Sequence, residues 1–222
     1  MVYVTAGIYG EWERYNTLLQ KINLKEGDIL YVLGDVMDYG EQGMEVLTDM
    51  SMRANVYPVA GERELQALRM LTAVDKMLRE GTAPDPEFAT ELTAWASEGG
   101  MSTLTGFRAL DEEMREGVLD YLSEFALYEE VEVKGKNFVL VHAGIADFDP
   151  DTDLEDYEPE DFFVPAPAGA SFYADRALVV GHVPTDSGKI EYEDGIVRID
   201  CGVMQGGSLA ALCLDNGEEF YV

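Results

Sequence analysis

The sequence predicts an α/β (α+β) fold, and three observations support this prediction. Apolar runs of strand length recur along the whole chain, and several end at a Gly-Asp, Gly-Glu or Gly-His pair. Segments with helical apolar spacing lie between the first of these runs, which is the alternation typical of α/β proteins. The 222 residues, of which 47% are hydrophobic, can bury a large core, and we predict one domain over residues 1–222.

The first eighty or so residues alternate strand and helix. Strands are predicted where short apolar runs stop at glycine-containing turns, and helices where apolar residues recur every three or four positions. The predicted strands are Val2–Thr5, Asp28–Leu33 and Asn55–Ala60. The predicted helices are Glu11–Ile22, Gln42–Met52 and a third one, which follows the turn Gly61–Glu64 and ends at about Arg79.

A helical insertion is predicted at about residues 80–127. A glycine and two prolines mark a loop over Glu80–Glu87, and apolar spacing predicts helices at Phe88–Ala96 and Asp111–Phe125. The Gly-Gly segment Glu98–Thr103 separates these two helices. We expect the insertion to cover one edge of a sheet and not to fold as a separate domain.

The rest of the chain is predicted to be β-structure joined by turns. Tyr128–Val133 and Asn137–His142 alternate around a Lys-Gly-Lys turn, which predicts a β-hairpin. Two later hairpin turns are predicted at Asp194-Gly195 and Asn216-Gly217. The later predicted strands are Ala177–His182, Ile190–Tyr192, Ile196–Cys201, Leu209–Leu214 and Glu219–Val222.

The acidic segment Asp147–Asp161 has two interpretations. Four of its carboxylates fall at positions 1, 3, 5 and 12 of a calcium-binding loop, namely Asp149, Asp151, Asp153 and Glu160. However, Leu154 replaces the glycine that such a loop needs for its sharp turn, and two prolines stiffen the segment. A solvated acidic loop is therefore the preferred interpretation.

The formal net charge of -29 excludes two classes of partner. Nucleic acids and anionic membranes both require a basic surface, so neither is an expected partner. A phosphate ester would also be repelled at long range, and a site for one must depend on local cations. The chain has no apolar run of membrane-helix length and no signal-like start, so we expect a cytoplasmic protein.

A candidate metal site follows from polar residues at predicted strand ends. Asp35 comes directly after an apolar run and a glycine, at the edge where open α/β sheets place their chemistry. A lone Gly-Asp-x-x-Asp most often only shapes a turn, and a lone histidine at a strand end is most often structural. Here, however, two carboxylates and two imidazoles follow four apolar runs, a set that suits Mn, Fe or Zn. The predicted ligands are Asp35, Glu62, His142 and His182.

Five short segments, taken in order, carry a resemblance to a known family. They are Ala6–Gly10, Gly34–Gly40, Gly61–Glu64, His142–Gly144 and Gly181–Thr185, and the end of the chain, Ile199–Leu212, adds a sixth match. The sequence resembles the calcineurin-like metallophosphoesterases, in particular the bacterial relatives of the Ser/Thr protein phosphatases. The resemblance covers essentially the whole chain. It implies a metallophosphoesterase-like sandwich of two mixed β-sheets flanked by helices.

The resemblance implies a dinuclear metal centre, which this sequence supplies only in part. The second metal of the family would take the four predicted ligands, with Glu62 in place of an asparagine. The first metal would share Asp35, but its other two ligands, an aspartate and a histidine, are Gly7 and Tyr9 here. Neither residue offers a carboxylate or an imidazole, so we expect one divalent ion at most.

The resemblance also implies catalytic positions, and these have changed as well. Asp38 is retained, but the proton-donating histidine of the family is Arg63 and its phosphate-holding arginine is Tyr39. Arginine stays protonated and cannot deliver a proton near neutral pH. Asp38 and Arg63 are therefore predicted to be the remaining polar groups of a degraded catalytic site.

Three interpretations follow from these departures. The first is a weak or inactive pseudophosphatase that acts as a binding or regulatory module, in which Arg63 holds an anion or neutralises a carboxylate. The alternative is an active phosphoesterase with one metal, hydrolysing a phosphate monoester such as a phosphopeptide or nucleotide. The third is a structural relic that binds nothing. The first two predict a phosphate-containing small molecule or a phosphopeptide as the partner.

Overall fold

The polypeptide forms ten β-strands and six α-helices, and the computed structural model describes all residues 1–222. The strands are β1 (Val2–Thr5), β2 (Ile29–Leu33), β3 (Val56–Val59), β4 (Tyr128–Val133), β5 (Lys136–Val141), β6 (Arg176–Val180), β7 (Glu191–Glu193), β8 (Ile196–Arg198), β9 (Ala210–Cys213) and β10 (Glu219–Tyr221). The α-helices are α1 (Trp12–Ile22), α2 (Gly43–Ser51), α3 (Glu62–Glu80), α4 (Pro86–Trp95), α5 (Met101–Ala109) and α6 (Glu112–Ser123). None of these helices is long and apolar enough to cross a membrane.

The strands form two sheets, and both are mixed. The first has the order β10-β9-β1-β2-β3, in which β1, β2 and β3 are parallel and the other two pairings are antiparallel. The second has the order β4-β5-β6-β8-β7, with a parallel centre and antiparallel edges. This architecture confirms the predicted fold class.

Alternating side chains build separate cores on the two faces of each sheet. On β1, Val4 belongs to an apolar core between the two sheets, whereas Tyr3 belongs to a larger core beneath the helices. The outer face of the second sheet is not covered by helices. Its residues Val139 and Leu178 pack with the segment between β5 and β6, through side chains such as Phe162.

The insertion between α3 and β4 contains one helix that the sequence did not predict. The segment taken to separate two helices is a π-helical turn, Ala96–Gly100, followed directly by α5. Glu98 and Gly99 leave the helical conformation there, with φ of +116° at Gly99. The chain returns along the edge of the first sheet, where Ala60 N donates to the Ala126 carbonyl oxygen at 2.7 Å.

The acidic segment after β5 forms two short 3₁₀ turns, Leu154–Asp156 and Pro159–Phe163. Asp149 Oδ1 accepts a local hydrogen bond from Asp151 N at 3.0 Å. The structure contains one group of convergent potential metal ligands, and it lies outside this segment. The carboxylates of the segment therefore do not converge on one point. This arrangement agrees with a solvated acidic loop.

Candidate metal centre

Four polar side chains from the ends of four strands meet where the two sheets approach each other. Asp35 follows β2, and Glu62 is the first residue of α3, just after β3; both of these strands belong to the first sheet. His142 and His182 follow β5 and β6 of the second sheet. One potential ligand atom from each residue lies within 4.8 Å of those of the other three. The structure therefore brings together all four residues that were predicted to be metal ligands.

The backbone around this group is held in an uncommon conformation. Eight non-glycine residues have positive φ, and five of them surround the site: Tyr9, Asp35, Asp38, Tyr39 and His182. Such a conformation costs about 1–2 kcal/mol per residue, and it persists only where the surroundings impose it. Glu64 supplies part of this constraint, because its buried carboxylate accepts hydrogen bonds from the backbone N–H groups of Asp35 and Val36.

His142 is oriented by a backbone carbonyl. Its Nδ1 lies 2.8 Å from the Leu33 carbonyl oxygen, and because a carbonyl only accepts, Nδ1 carries a proton. Gly34 makes this approach possible, since a Cβ at that position would collide with the imidazole ring. The other nitrogen, Nε2, faces the cluster at 2.9 Å from Glu62 Oε2 and 3.0 Å from His182 Nδ1.

Two buried carboxylate oxygens of this group face cationic or protonatable neighbours. Asp35 Oδ1 has no hydrogen-bond donor and lies 3.8 Å from Arg63 Nε, and Glu62 Oε2 lies 2.9 Å from His142 Nε2. Burial alone would raise the pKa of Glu62, but contact with His142 and the charge of His182 lower it to about 2. Burial would likewise lower the pKa of His142, yet Glu62 and Asp35 raise it to about 9.

The donor set fits one divalent metal ion. Two carboxylates and two imidazoles suit Mn, Fe or Zn, and a metal-bound histidine normally donates its second N–H to a carbonyl or carboxylate, as His142 does to Leu33. A proton and a metal ion would compete for the same lone pairs, since ligating groups must be deprotonated.

Gly7 and Tyr9 stand at the positions for which the resemblance implies ligands of a first metal. Tyr9, whose pKa is raised by burial and by the charge of Asp35, stays protonated and donates to Asp35 Oδ2 at 2.8 Å. A Cβ added to Gly7 would lie 3.2 Å from Asp200 Oδ2, an atom with no hydrogen-bond partner. Burial raises the pKa of Asp200, opposed by the Gly202 N–H that donates to its Oδ1.

The positively charged guanidinium of Arg63 lies beside the cluster. Its Nε lies 3.8 Å from Asp35 Oδ1, and its Nη1 lies 3.4 Å from Asp38 Oδ2. The guanidinium also donates to the Tyr39 hydroxyl and lies 4.5 Å from the centre of the Tyr39 ring. It borders a cavity of about 320 Å³, a size suited to a small ligand. The cavity is lined by Tyr9, Asp35, Tyr39, Arg63, His182, Pro184, Met204 and Gln205.

All six site residues predicted from the sequence lie in this region, and several others were missed. Asp200 could have been found, because it follows an apolar run just as Asp35 does. Trp95 and Thr103, which both donate hydrogen bonds to Asp38, carry no comparable signal, because they lie on helices of the insertion.

Comparison with known proteins agrees with this architecture. A putative diadenosine tetraphosphatase shares 18% identity and a TM-score of 0.66, over 100% of this chain and 92% of its own. A protein serine/threonine phosphatase from Saccharomyces cerevisiae shares 12% identity and a TM-score of 0.60, over 100% and 79%. A metallophosphoesterase from Sphaerobacter thermophilus shares 14% identity and a TM-score of 0.55, over 100% and 87%.

These identities are low, so the likeness to solved structures shows the fold alone. Curated protein sequences give no match to this chain. The model of the calcineurin-like phosphoesterase family, whose members act on phosphate esters and normally bind divalent metals, matches residues 2–219. The chain therefore belongs to the calcineurin-like phosphoesterase family.

Proposed function

We propose that this protein is a pseudophosphatase: a binding or regulatory module that holds one divalent metal ion and a phosphate-containing ligand, with little or no hydrolysis. The ligand would be a small molecule or a phosphopeptide. The observation that carries the proposal is the hydrogen bond from Tyr9 to Asp35 Oδ2. In the family, two metals share the aspartate that matches Asp35, and here a neutral hydroxyl takes one of its lone pairs.

Asp35, Glu62, His142 and His182 would hold the ion, which would be Mn, Fe or Zn. When bound, the metal supplies a Lewis acid that can polarise a phosphoryl oxygen. Asp35 Oδ2 still faces the histidines, at 3.9 Å from His142 Nε2 and 3.8 Å from His182 Nδ1. Because a carboxylate oxygen has two lone pairs, it can serve the ion and accept from Tyr9 at once.

Arg63 would hold the anionic ligand. In a chain with a net charge of -29, phosphate can bind only where a cation is presented locally, and Arg63 borders the cavity next to Asp35. Its guanidinium matches the geometry of phosphate oxygens. It cannot act as a general acid, however, and a positioned acid contributes about 10²–10⁴ to a rate. The site is thus equipped for binding more than for turnover.

The test is a calorimetric titration of the metal-free protein with Mn²⁺, followed by inorganic phosphate, together with hydrolysis of para-nitrophenyl phosphate. We expect one Mn²⁺ per chain, phosphate binding only to the loaded protein, and hydrolysis near background. Asp35→Asn should abolish metal binding, whereas Asp151→Asn, the same change in the acidic loop, should not.

Two results would contradict the proposal. Robust hydrolysis that disappears in Asp35→Asn would establish an active one-metal phosphoesterase. Absence of both metal and phosphate binding in the folded wild-type protein would establish a structural relic.

A further inference from the structure

We propose that the helical insertion positions Arg63 for anion binding, with Thr103 and Trp95 as positioning residues that act through Asp38. This inference rests on the proposed role of Arg63 as the group that holds the anion. The insertion approaches the guanidinium from two sides, once through the side chain of Asp38 and once through the carbonyls of the π-helical turn, Ala96–Gly100.

On the first side, the insertion acts through hydrogen bonds to Asp38, which is fully buried. Thr103 Oγ1 donates to Asp38 Oδ1 at 2.6 Å and accepts from Asp38 N at 3.0 Å. Trp95 Nε1 donates to Asp38 Oδ2 at 3.2 Å, and Arg63 Nη1 lies 3.4 Å from the same oxygen. The two insertion residues therefore fix the orientation of the carboxylate, and the carboxylate in turn fixes the guanidinium.

The second side comes from the π-helical turn. Glu98 and Gly99 leave the helical conformation, and their carbonyls accept hydrogen bonds from groups outside the insertion. The Glu98 carbonyl oxygen accepts from Arg63 Nη1 at 3.4 Å, and the Gly99 carbonyl oxygen accepts from Tyr39 N at 2.9 Å. Tyr39 in turn supports the guanidinium with its hydroxyl and its ring.

These contacts select one orientation among many that an arginine could adopt. Asp35 Oδ1 lies 3.8 Å from Arg63 Nε, so a guanidinium released by Asp38 has a competing carboxylate beside it. A guanidinium that is already fixed beside the cavity loses less side-chain freedom when an anion binds. The hydroxyl of Thr103 contributes to affinity through this effect, without touching the anion.

The experiment compares Thr103→Val, which keeps the side-chain shape but removes the hydroxyl, with Thr103→Ser, which keeps the hydroxyl. Phosphate affinity is measured by calorimetry on Mn²⁺-loaded protein, and the mobility of the Arg63 Nε–H group by ¹⁵N relaxation on metal-free protein, because paramagnetic Mn²⁺ would broaden this signal. We expect Thr103→Val to weaken phosphate binding by about tenfold, the scale of one charge-assisted hydrogen bond, and to mobilise Arg63. Thr103→Ser should resemble wild type in both respects, and Mn²⁺ affinity should stay within about twofold in both variants.

The inference is overturned if Thr103→Val changes neither phosphate affinity nor the mobility of Arg63, or if Thr103→Ser is as defective as Thr103→Val. Should Thr103→Val not fold, Trp95→Phe removes the other donor to Asp38 and is judged by the same two measurements. Failure of the wild-type protein to bind phosphate would refute the proposed function instead. In that case the relaxation data on Arg63 would still decide whether the insertion positions this side chain.

Discussion

Replacement of Arg63 by glutamine should change anion and metal affinity in opposite directions. The guanidinium lies beside Asp35 and borders the cavity, so it attracts a phosphate and repels a divalent ion held by the same carboxylate. If the role of Arg63 were merely structural, its replacement would weaken both affinities together, because loss of local order affects the metal site and the anion site alike. The signs of the two changes therefore test the role of the charge.

The size of the effect follows from the distances. Two unit charges 3.8 Å apart, as Arg63 Nε and Asp35 Oδ1 are, interact by about 4 kcal/mol at an effective dielectric constant of 20. The side chain of Arg63 is 21% exposed, so solvent reduces this figure. A hydrogen bond to a charged group contributes about 1.5–3 kcal/mol, which corresponds to a phosphate affinity about 10- to 150-fold weaker in Arg63→Gln. Removal of the positive charge beside Asp35 should strengthen Mn²⁺ binding.

Two further variants complete the assay, which is calorimetric titration with Mn²⁺ and then phosphate. Arg69→Gln makes the same change on the same helix, at a side chain 61% exposed and paired with Glu91, and should leave both affinities unaltered. Arg63→Lys keeps the charge but loses the planar fork of donors, so it should retain part of the phosphate affinity. Parallel weakening of both ligands in a folded Arg63→Gln, or an unchanged phosphate affinity, would refute the reasoning.

Two other predictions concern the missing ligands and the acidic surface. The double variant Gly7→Asp with Tyr9→His should bind a second Mn²⁺, and without Mn²⁺ it should be less stable than the parent, since Gly7 has φ of +69° and its added Cβ would face Asp200 Oδ2. Calorimetric titration measures the Mn²⁺ stoichiometry, and thermal melting with and without Mn²⁺ measures the stability. An unchanged stoichiometry would contradict this prediction. Phosphate binding to the loaded wild-type protein should strengthen as ionic strength rises from about 0.01 to 0.15 M, because screening weakens the repulsion by the net charge of -29. A titration series in sodium chloride that showed steady weakening would contradict the second prediction.

The parts of this protein that the sequence predicted are those set by local pattern. Apolar runs located the strands to within one to three residues in most cases, because strand burial depends on the spacing of side chains along the run. The same runs located the convergent group of side chains, since a residue that closely follows a strand must lie at the edge of its sheet. Asp35, His142 and His182 were found in this way.

The parts that were missed depend on contacts between distant segments. Trp95 donates to Asp38 across 57 positions in sequence, and Asp200 lies beside Gly7 although nearly two hundred residues separate them. The α5 helix was missed because two consecutive glycines predict a break, whereas here the kink in the π-helical turn accommodates them and a new helix begins at once. No local pattern contains this information.

The unpaired oxygens at the site bear on the choice among the three interpretations. Asp200 Oδ2 is buried without a donor, which is unfavourable by about 1–3 kcal/mol, and Glu62 Oε2 has His142 Nε2 beside it at 2.9 Å. A relic that binds nothing would carry this cost, and the strained backbone of Asp35 and His182, without gaining a ligand. One metal ion held by Asp35 Oδ2, Glu62 and the two histidines would make use of the strained positions of Asp35 and His182, which favours the proposed binding site over a relic. Asp200 lies beside Gly7 instead, so its unpaired oxygen stays outside such a one-metal site.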